Sequence, residues 1–545
     1  MAVNDVNIAG QKKMEYRFNI GTYSRKITTV SEEAQSWFDR GLMWAYGFHW
    51  TESVDCFKKS IENDPDCAMA WWGLAYSTGP SYNRMWHKLD KIELPKVLFE
   101  CFHASQKALK LSSNSTEFEK ELIYALTKRH PSENPPDDFN DWTNNYADAM
   151  RTVQNKYPED PDINALFAEA IISRTPWQLW NLNSGKPSEG ASTLEAKDVL
   201  EKAITSVGSN GTQPHVGLLH YYIHVMEMSP TPEVALRAGD LLLTLVPDCG
   251  HLLHMPTHID FQCGNYNDVV TRNSQAIESN KKRIEIYGIL DLFAGSVIHN
   301  IHFKLYGAMF LGNFKASMEA LKEFDELIPE SLIRIESPPM ANMFEGYYGL
   351  KYHAFIRFGE WQQIINLSPP TDPELYLVTT ALYRYARSLA YAALGDIPLA
   401  EAEKTKFEKA VKKVPNSRFM FNNTCIDLLN IAKPMLSGEI EYRKGNFKLA
   451  FEYLNKAIQN EDTLPYDEPW GWMQPARHAL GALLLEQGEV EKAEKVYRAD
   501  LGFDPSVIRA RRHPNNVWSL HGLSECLMRQ NKPNELNLIK QNLEL

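Results

Sequence analysis

The sequence has few cysteines, no long apolar run and no basic tract, and each absence closes off a class of protein. Its seven cysteines, at positions 56, 67, 101, 249, 263, 425 and 526, are scattered over 545 residues. They are odd in number and form no CxxC pair. Neither a disulfide frame nor a thiolate metal site is expected, and a reducing compartment suits them. Apolar runs fall far short of the roughly 20 residues that cross a bilayer, so no membrane partner is expected. The opening stretch, MAVNDVNIAGQKK, lacks the apolar core of a signal peptide, and a cytoplasmic protein is the simplest expectation. Lys and Arg number 57 against 69 Asp and Glu, a net charge of −12. With no basic tract to neutralise phosphates, nucleic acid is not an expected partner. GxxxxGK[ST], GxSxG and HExxH are also missing, which removes the phosphate loop, the hydrolase elbow and the zinc-protease helix.

What is present is helical and repetitive. An apolar fraction of 44% and a charged fraction of 23% describe a soluble globular protein. A chain this long exceeds one compact core unless its elements stack as repeats. Apolar residues recur at spacings of three and four with few strand patterns, so the fold class is all-α. From Ala34, the residues Trp37, Gly41, Trp44, Ser53, Phe57, Ser60 and Pro65 follow the aromatic–small spacing of a 34-residue tetratricopeptide unit. A second unit follows with Trp71, Leu74 and Ala75. The same turn signature returns in SPTPEVAL, QCGNYNDVV, FLGNFKASM, RFGEWQQII, ALGDIPLAEAE, RKGNFKLAF and EQGEVEKAE. These predict units starting near Val216, Gly250, Ile298, Glu345, Ala381, Ile431 and Gln474, with a last pair near Asn515. KRHPSENPPDDFND and NLNSGKPSEGAST read as inserted loops. The expected architecture is a tetratricopeptide-type α-solenoid, a superhelix of stacked antiparallel helix pairs. It comprises a lead-in over 1–30, first units over 31–130 and a looped helical segment over 131–200. Central units over 201–378 and C-terminal units with capping helices over 379–545 complete it.

Histidine is concentrated in the central units. Sixteen are present, so about 2.6 are expected in any 88 residues, yet the window from His215 to His302 holds eight. Counted from each repeat start, His251 and His299 take the second place, and His220, His254 and His302 the fifth. His224, His258 and His353 take the ninth. In tetratricopeptide proteins those places face the concave surface, so successive repeats line one inner wall with imidazole. His220 and His224 are four apart, as are His254 and His258, and residues four apart share a helix face. Packed helices run roughly 8–10 Å apart, close enough for imidazoles of adjacent repeats to converge on an ion. The expected metal ligands are His220, His224, His254 and His258, with His299, His302 and His251 offering more. Glu227 follows His224 by three and is expected as a ligand, a catalytic carboxylate or the acceptor that fixes an imidazole tautomer. Asp260 is a weaker candidate for that last role. Pro256 interrupts the second histidine pair, so the helix there either starts late or bends.

Other signals are bland. His49, His87, His103, His130, His513 and His521 lack the register and read as ordinary. His353 reads as rim or groove, and Cys263 as filler at a repeat turn. The aromatic groups WAYGFHW, AWWGLAY and DEPWGWMQPARH read mainly as core between repeats, with EPWGW placed to overhang the groove beside His478.

Taken together, HYYIHVMEMSPTPEVAL, GHLLHMPTHIDFQCGNY, HNIHF and EPWGWMQPARHALGALLLEQG with YRADL resemble a family of tetratricopeptide-repeat proteins of bacteria and some eukaryotes. The resemblance covers nearly the full length, is most specific at the histidines, and departs from the family pattern around 284–298 and 130–140. It implies the fold and the site and supplies no reaction.

The function expected from the residues is a metal-dependent enzyme, an oxidoreductase rather than a hydrolase, acting on a small molecule. Abundant imidazole with little carboxylate points to a transition metal ion (copper, iron or zinc) rather than magnesium or calcium. The alternative is a non-catalytic adaptor holding a partner peptide in its groove. Such grooves present cations and amides to a carboxylate, where this one presents histidine.

Overall fold

The structure, a computed structural model, describes residues 16–209 and 213–544. Helices dominate and pair in sequence order. Glu32–Tyr46 packs on Trp50–Asn63, Val216–Met226 on Leu236–Leu242, and Gly250–Cys263 on Tyr266–Tyr287. Further pairs are Ala294–Phe310 with Phe314–Leu327, Leu377–Ala393 with Ile397–Val411, and Cys425–Arg443 with Phe447–Glu461. Ala476–Glu486 with Val490–Leu501 and Val517–Arg529 with Pro533–Glu544 close the chain. The second predicted unit falls on Ala68–Thr78 with Glu93–Leu111, the one near Glu345 on Leu350–Arg357 with Trp361–Asn366, and the others on the pairs above, so the fold is the tetratricopeptide-type α-solenoid the repeats imply. The only strands among the described residues are two short hairpins, Trp180–Asn181 with Lys186–Pro187 and Phe419–Met420 with Asn423–Thr424.

The small–aromatic code has a packing reason. The Phe57 ring is fully buried in the notch left by Gly41 and Gly73, where an added Cβ would come within 2.9 and 2.2 Å of it. Tyr497 occupies the same kind of notch between Gly481 and Gly522 near the other end of the chain. Losing such an aromatic costs about 3–5 kcal/mol, so one ring locks two successive repeats. Capping marks the helix starts: Ser31 accepts from the Ala34 amide, Thr116 and Glu119 form a reciprocal capping box, and Asp160 caps a helix that opens with Pro161.

Distant repeats also touch. The Trp177 indole donates to Glu468 at 3.1 Å, Arg509 to the Gln262 carbonyl at 2.7 Å, and Trp518 to the Met309 carbonyl at 2.7 Å. Between the pairs ending at Glu461 and starting at Ala476, the DEPWGWMQP segment crosses to the histidine-bearing helices. Its Asp467, Glu468, Trp470, Trp472 and Met473 are all buried. EPWGW therefore does more than overhang a groove, because it packs into the wall. One continuous core runs from Phe18 to Ala510, with a smaller one among the C-terminal helices. No described helix is long and apolar enough to cross a membrane.

Candidate metal centre

Three successive inner helices carry the histidines. Val216–Met226 holds His220 and His224 and ends at Glu227. Gly250–His254 holds His251 and His254, and Thr257–Cys263 holds His258. Met255 and Pro256 between them keep helical dihedrals, so the chain bends rather than starting late. Proline cannot donate to a carbonyl of the preceding turn. One residue on, the Thr257 hydroxyl donates to the His254 carbonyl at 2.7 Å. Ala294–Phe310 carries His299 and His302.

These helices bring six imidazoles into two adjoining trios. His220, His224 and His251 form one and His254, His258 and His299 the other, each with its ligating nitrogens within 4.8 Å of one another. The trios abut: ring centres are 6.1 Å apart both for His224–His258 and for His251–His254. Five of the six rings are buried and His299 is half-buried. His302 joins neither trio. Three residues advance a helix by about 300°, which leaves His299 and His302 about 60° apart around the axis. The His302 ring instead packs against Tyr347, at 5.5 Å. His353, read as rim or groove, is buried against Trp472, and Asp260 pairs with Arg272 at 3.0 Å away from the trios.

Most of the imidazoles are oriented from behind. His220 Nδ1 donates to the Tyr46 carbonyl at 2.6 Å. His224 Nδ1 faces Glu227 Oε1 at 3.2 Å, and His258 Nδ1 faces Glu227 Oε2 at 2.8 Å and Glu468 Oε2 at 3.2 Å. His254 Nδ1 meets Asn273 Oδ1 at 2.7 Å. The Asn273 amide nitrogen donates to the Val269 carbonyl at 2.8 Å, so its oxygen must face His254, which therefore carries its proton on Nδ1. On the far side of the rings the Nε2 atoms turn inward. His254 Nε2 lies 2.7 Å from His258 Nε2, and His220 Nε2 lies 3.2 Å from His251 Nε2. The His224 Nε2 is buried without a partner among the described residues.

Electrostatics keep most of these groups neutral. Burial pushes His220 down to about 3. Burial and then the neighbouring imidazoles hold His224, His251, His254 and His299 well below the usual histidine range. His258 is the exception: burial disfavours its charge, but Glu468 and Glu227 prevail and raise it to about 10. Glu227 is itself raised, first by burial and then by the charge of Glu468.

The surrounding aromatics sit in strained backbone. Phe48, Trp177 and Phe421 have φ of 55°, 53° and 52°, where bulky side chains are rare. Phe48 stacks on His224 and His251 and edges His220, Phe421 stacks on His299 at 5.3 Å, and Trp177 packs against Phe421. Such strain costs about 1–3 kcal/mol per residue and collects at functional sites.

Sequence reasoning placed His251 and His299 on the inner wall but did not divide six histidines into these trios. It missed Asn273 and Glu468 as orienting groups, and Tyr82, Trp177 and Phe421 as walls, while Phe48 lies in WAYGFHW, a group read mainly as core that could include pocket walls. EPWGW, which contains Glu468, was the available signal. His513, read as ordinary, joins His478 around the buried Asp500, whose oxygens also accept from Asn516 and Ser519. Those hydrogen bonds to Asp500 tie the last helix pair to the rest.

No protein family and no curated protein matches this chain. Among solved structures it is similar to yeast Tom70, at 13% identity and a TM-score of 0.26, over 95% of this chain and 93% of that one. The APC/C hetero-tetramer Cut9–Hcn1 matches at 13% identity and a TM-score of 0.27, over 94% and 92%. Naa15/Naa10 bound to HypK-THB matches at 12% identity and 0.23, over 94% and 88%. Superpositions this loose say nothing of function. The class of protein is defined by the helix pairs and the buried imidazoles: a tetratricopeptide-type α-solenoid with paired histidine trios on its inner wall.

Proposed function

We propose that each trio holds one transition-metal ion and that the chain is a metal-dependent oxidoreductase acting on a small molecule. The opposed Nε2 atoms carry this reading. Nitrogens facing each other at 2.7 and 3.2 Å need a proton or a cation between them, and one ion per trio would serve each pair. Two nitrogens bound at 2.0–2.1 Å to one ion are about 3 Å apart, close to what these side chains present. Among copper, iron and zinc, all-imidazole trios with no carboxylate in either favour copper, since iron sites commonly keep a carboxylate. Paired ions of this kind, if bound, would supply one-electron changes two at a time. The protein's own groups do the rest. The Tyr46 carbonyl, Glu227 and Asn273 hold Nδ1 protons so that Nε2 stays free, while Phe48, Phe303 and Phe421 exclude water. Redox chemistry is favoured over hydrolysis because Glu227 and Glu468 are engaged on His258 and Trp177 rather than offered as a general base.

The test is metal content by plasma mass spectrometry on untagged protein beside His220→Ala and His258→Ala. About two equivalents in the parent chain and about one in each variant support the centre. Protein that holds no metal and takes none up, or metal indifferent to both substitutions, overturns it. Solenoids of this type commonly present concave surfaces to partners, so the adaptor reading is what such a failure leaves.

A further inference from the structure

Beside the centre lies a cleft of about 440 Å³, within the range of small-molecule sites. Its inner wall includes Trp177 and Tyr466, and its mouth includes the exposed His87, Lys88 and Gln178. Trp177 faces both ways. It lines the cleft, its indole N–H bonds Glu468, and its amide donates to the Tyr82 hydroxyl at 3.1 Å. Glu468 touches His258, and the Tyr82 ring lies 4.7 Å from His224. The cleft's inner wall is thus the outer wall of both trios.

The lining is cationic and aromatic in a chain of net charge −12. His87, Lys88, Arg129 and Arg174 line it and no aspartate or glutamate does. Arg129 is neutralised by the buried Glu169, with two hydrogen bonds at 3.0 and 3.2 Å. Arg174 is held only by neutral acceptors, Asn144 at 2.7 Å and Ser192 at 3.0 Å, and neither it nor Lys88 has an ion-pair partner among the described residues. Trp86, Phe139, Tyr146, Trp177 and Tyr466 supply flat walls, with Trp86 and Phe139 stacked at 4.9 Å. Two unpaired cations between aromatic faces match a small planar anion, its charge on Lys88 and Arg174 and its ring against the indoles.

We propose that this cleft is the substrate-recognition site of the metal centre and takes a small aromatic carboxylate. The assignment rests on the metal-centre reading. Trp177 is the shared partition through which occupancy of the cleft reaches His258.

The experiment uses the full chain and 4-hydroxybenzoate as probe, read by quenching of tryptophan fluorescence. Saturable binding is expected below about 1 mM, with the neutral 4-hydroxybenzyl alcohol roughly ten-fold weaker. Lys88→Gln and Arg174→Gln each weaken the acid by roughly ten-fold and leave metal content unchanged. Because Arg174 also tethers Asn144 and Ser192, the exposed Lys88 is the variant that separates lost binding from lost folding. In copper-loaded protein the probe shifts the electron paramagnetic resonance of the centre. His220→Ala loses metal but keeps probe binding, so failure of the metal reading and failure of the cleft are separable. No saturable binding, equal affinity for acid and alcohol, or an unmoved resonance overturns the proposal. A peptide with a free C-terminal carboxylate that displaces the probe at lower concentration overturns it in favour of the adaptor.

Discussion

Glu227 touches two imidazoles that belong to different trios, one through each carboxylate oxygen. It follows His224 by three residues on the same helix, so sequence spacing brought it to one trio and only the adjoining helix brought it to the other. Replacing groups that orient metal ligands typically weakens metal affinity by about 10–100-fold. Glu227→Gln is expected to lose that much in chelator competition while still filling at high metal, and unchanged affinity would mean the carboxylate orients nothing. His302→Ala is expected to retain both ions, since its ring lies off the trios against Tyr347; loss of metal there would redraw the ligand set. A further residue supports the site from behind. Asp162 accepts from the Tyr46 hydroxyl at 2.6 Å, and the Tyr46 carbonyl orients His220. Burial opposes the Asp162 charge, but His215, Arg25 and Tyr23 prevail and hold it well below the usual carboxylate range. A depressed carboxylate contributes stability that is present above its unfolded value of about 3.9 and is lost as pH falls through its folded value. Acid titration of stability should therefore fall off below about pH 4 and be flatter there in Asp162→Ala. That variant is expected to lose about 1–3 kcal/mol at neutral pH, because the Tyr46 and Tyr23 hydroxyls and His215 lose their buried acceptor while Arg25 keeps Asp160. Equal acid profiles would remove Asp162 from the account.

The bend at Met255–Pro256 shows how an element departs from its local pattern without losing its purpose. HxxxH spacing predicts one helix face for His254 and His258, and they do meet, across two short helices joined by the Thr257 hydroxyl. The helix ends at Gly264, whose φ of 79° a β-carbon disfavours and whose Cβ would lie 2.3 Å from the Pro514 carbonyl oxygen. Gly264→Ala is expected to cost about 1–3 kcal/mol, read as a lowered thermal midpoint, because backbone strain and a backbone clash coincide. A neutral result would mean the segment around Pro514 docks loosely. The repeat ruler found these pairs because Phe57 and Tyr497 need glycine notches at fixed spacing. It was silent on the 79–92 stretch between Ala68–Thr78 and Glu93–Leu111, where no apolar period runs and where the cleft residues Trp86 and Lys88 sit.

Across the whole molecule, contacts between distant repeats make the solenoid more than a stack of neighbours. The main core spans Phe18 to Ala510, while the last helices share a smaller core reaching Ile539. Hydrogen exchange is expected to be slowest in Val216–Met226, in the main core, and at least roughly ten-fold faster in Pro533–Glu544, which packs in the smaller one. Uniform protection would mean one cooperative unit to the last residue. Determined by the sequence alone were the helical class, the repeat units and the helices bearing imidazole, because a 3.6-residue period and a 34-residue repeat are local properties. Tertiary structure alone decided the division into two trios, the exclusion of His302 and the arrival of Glu468 beside His258. Trp177 and Glu468 meet from 291 residues apart, and no spacing rule reaches that far; only the path of the packed chain does.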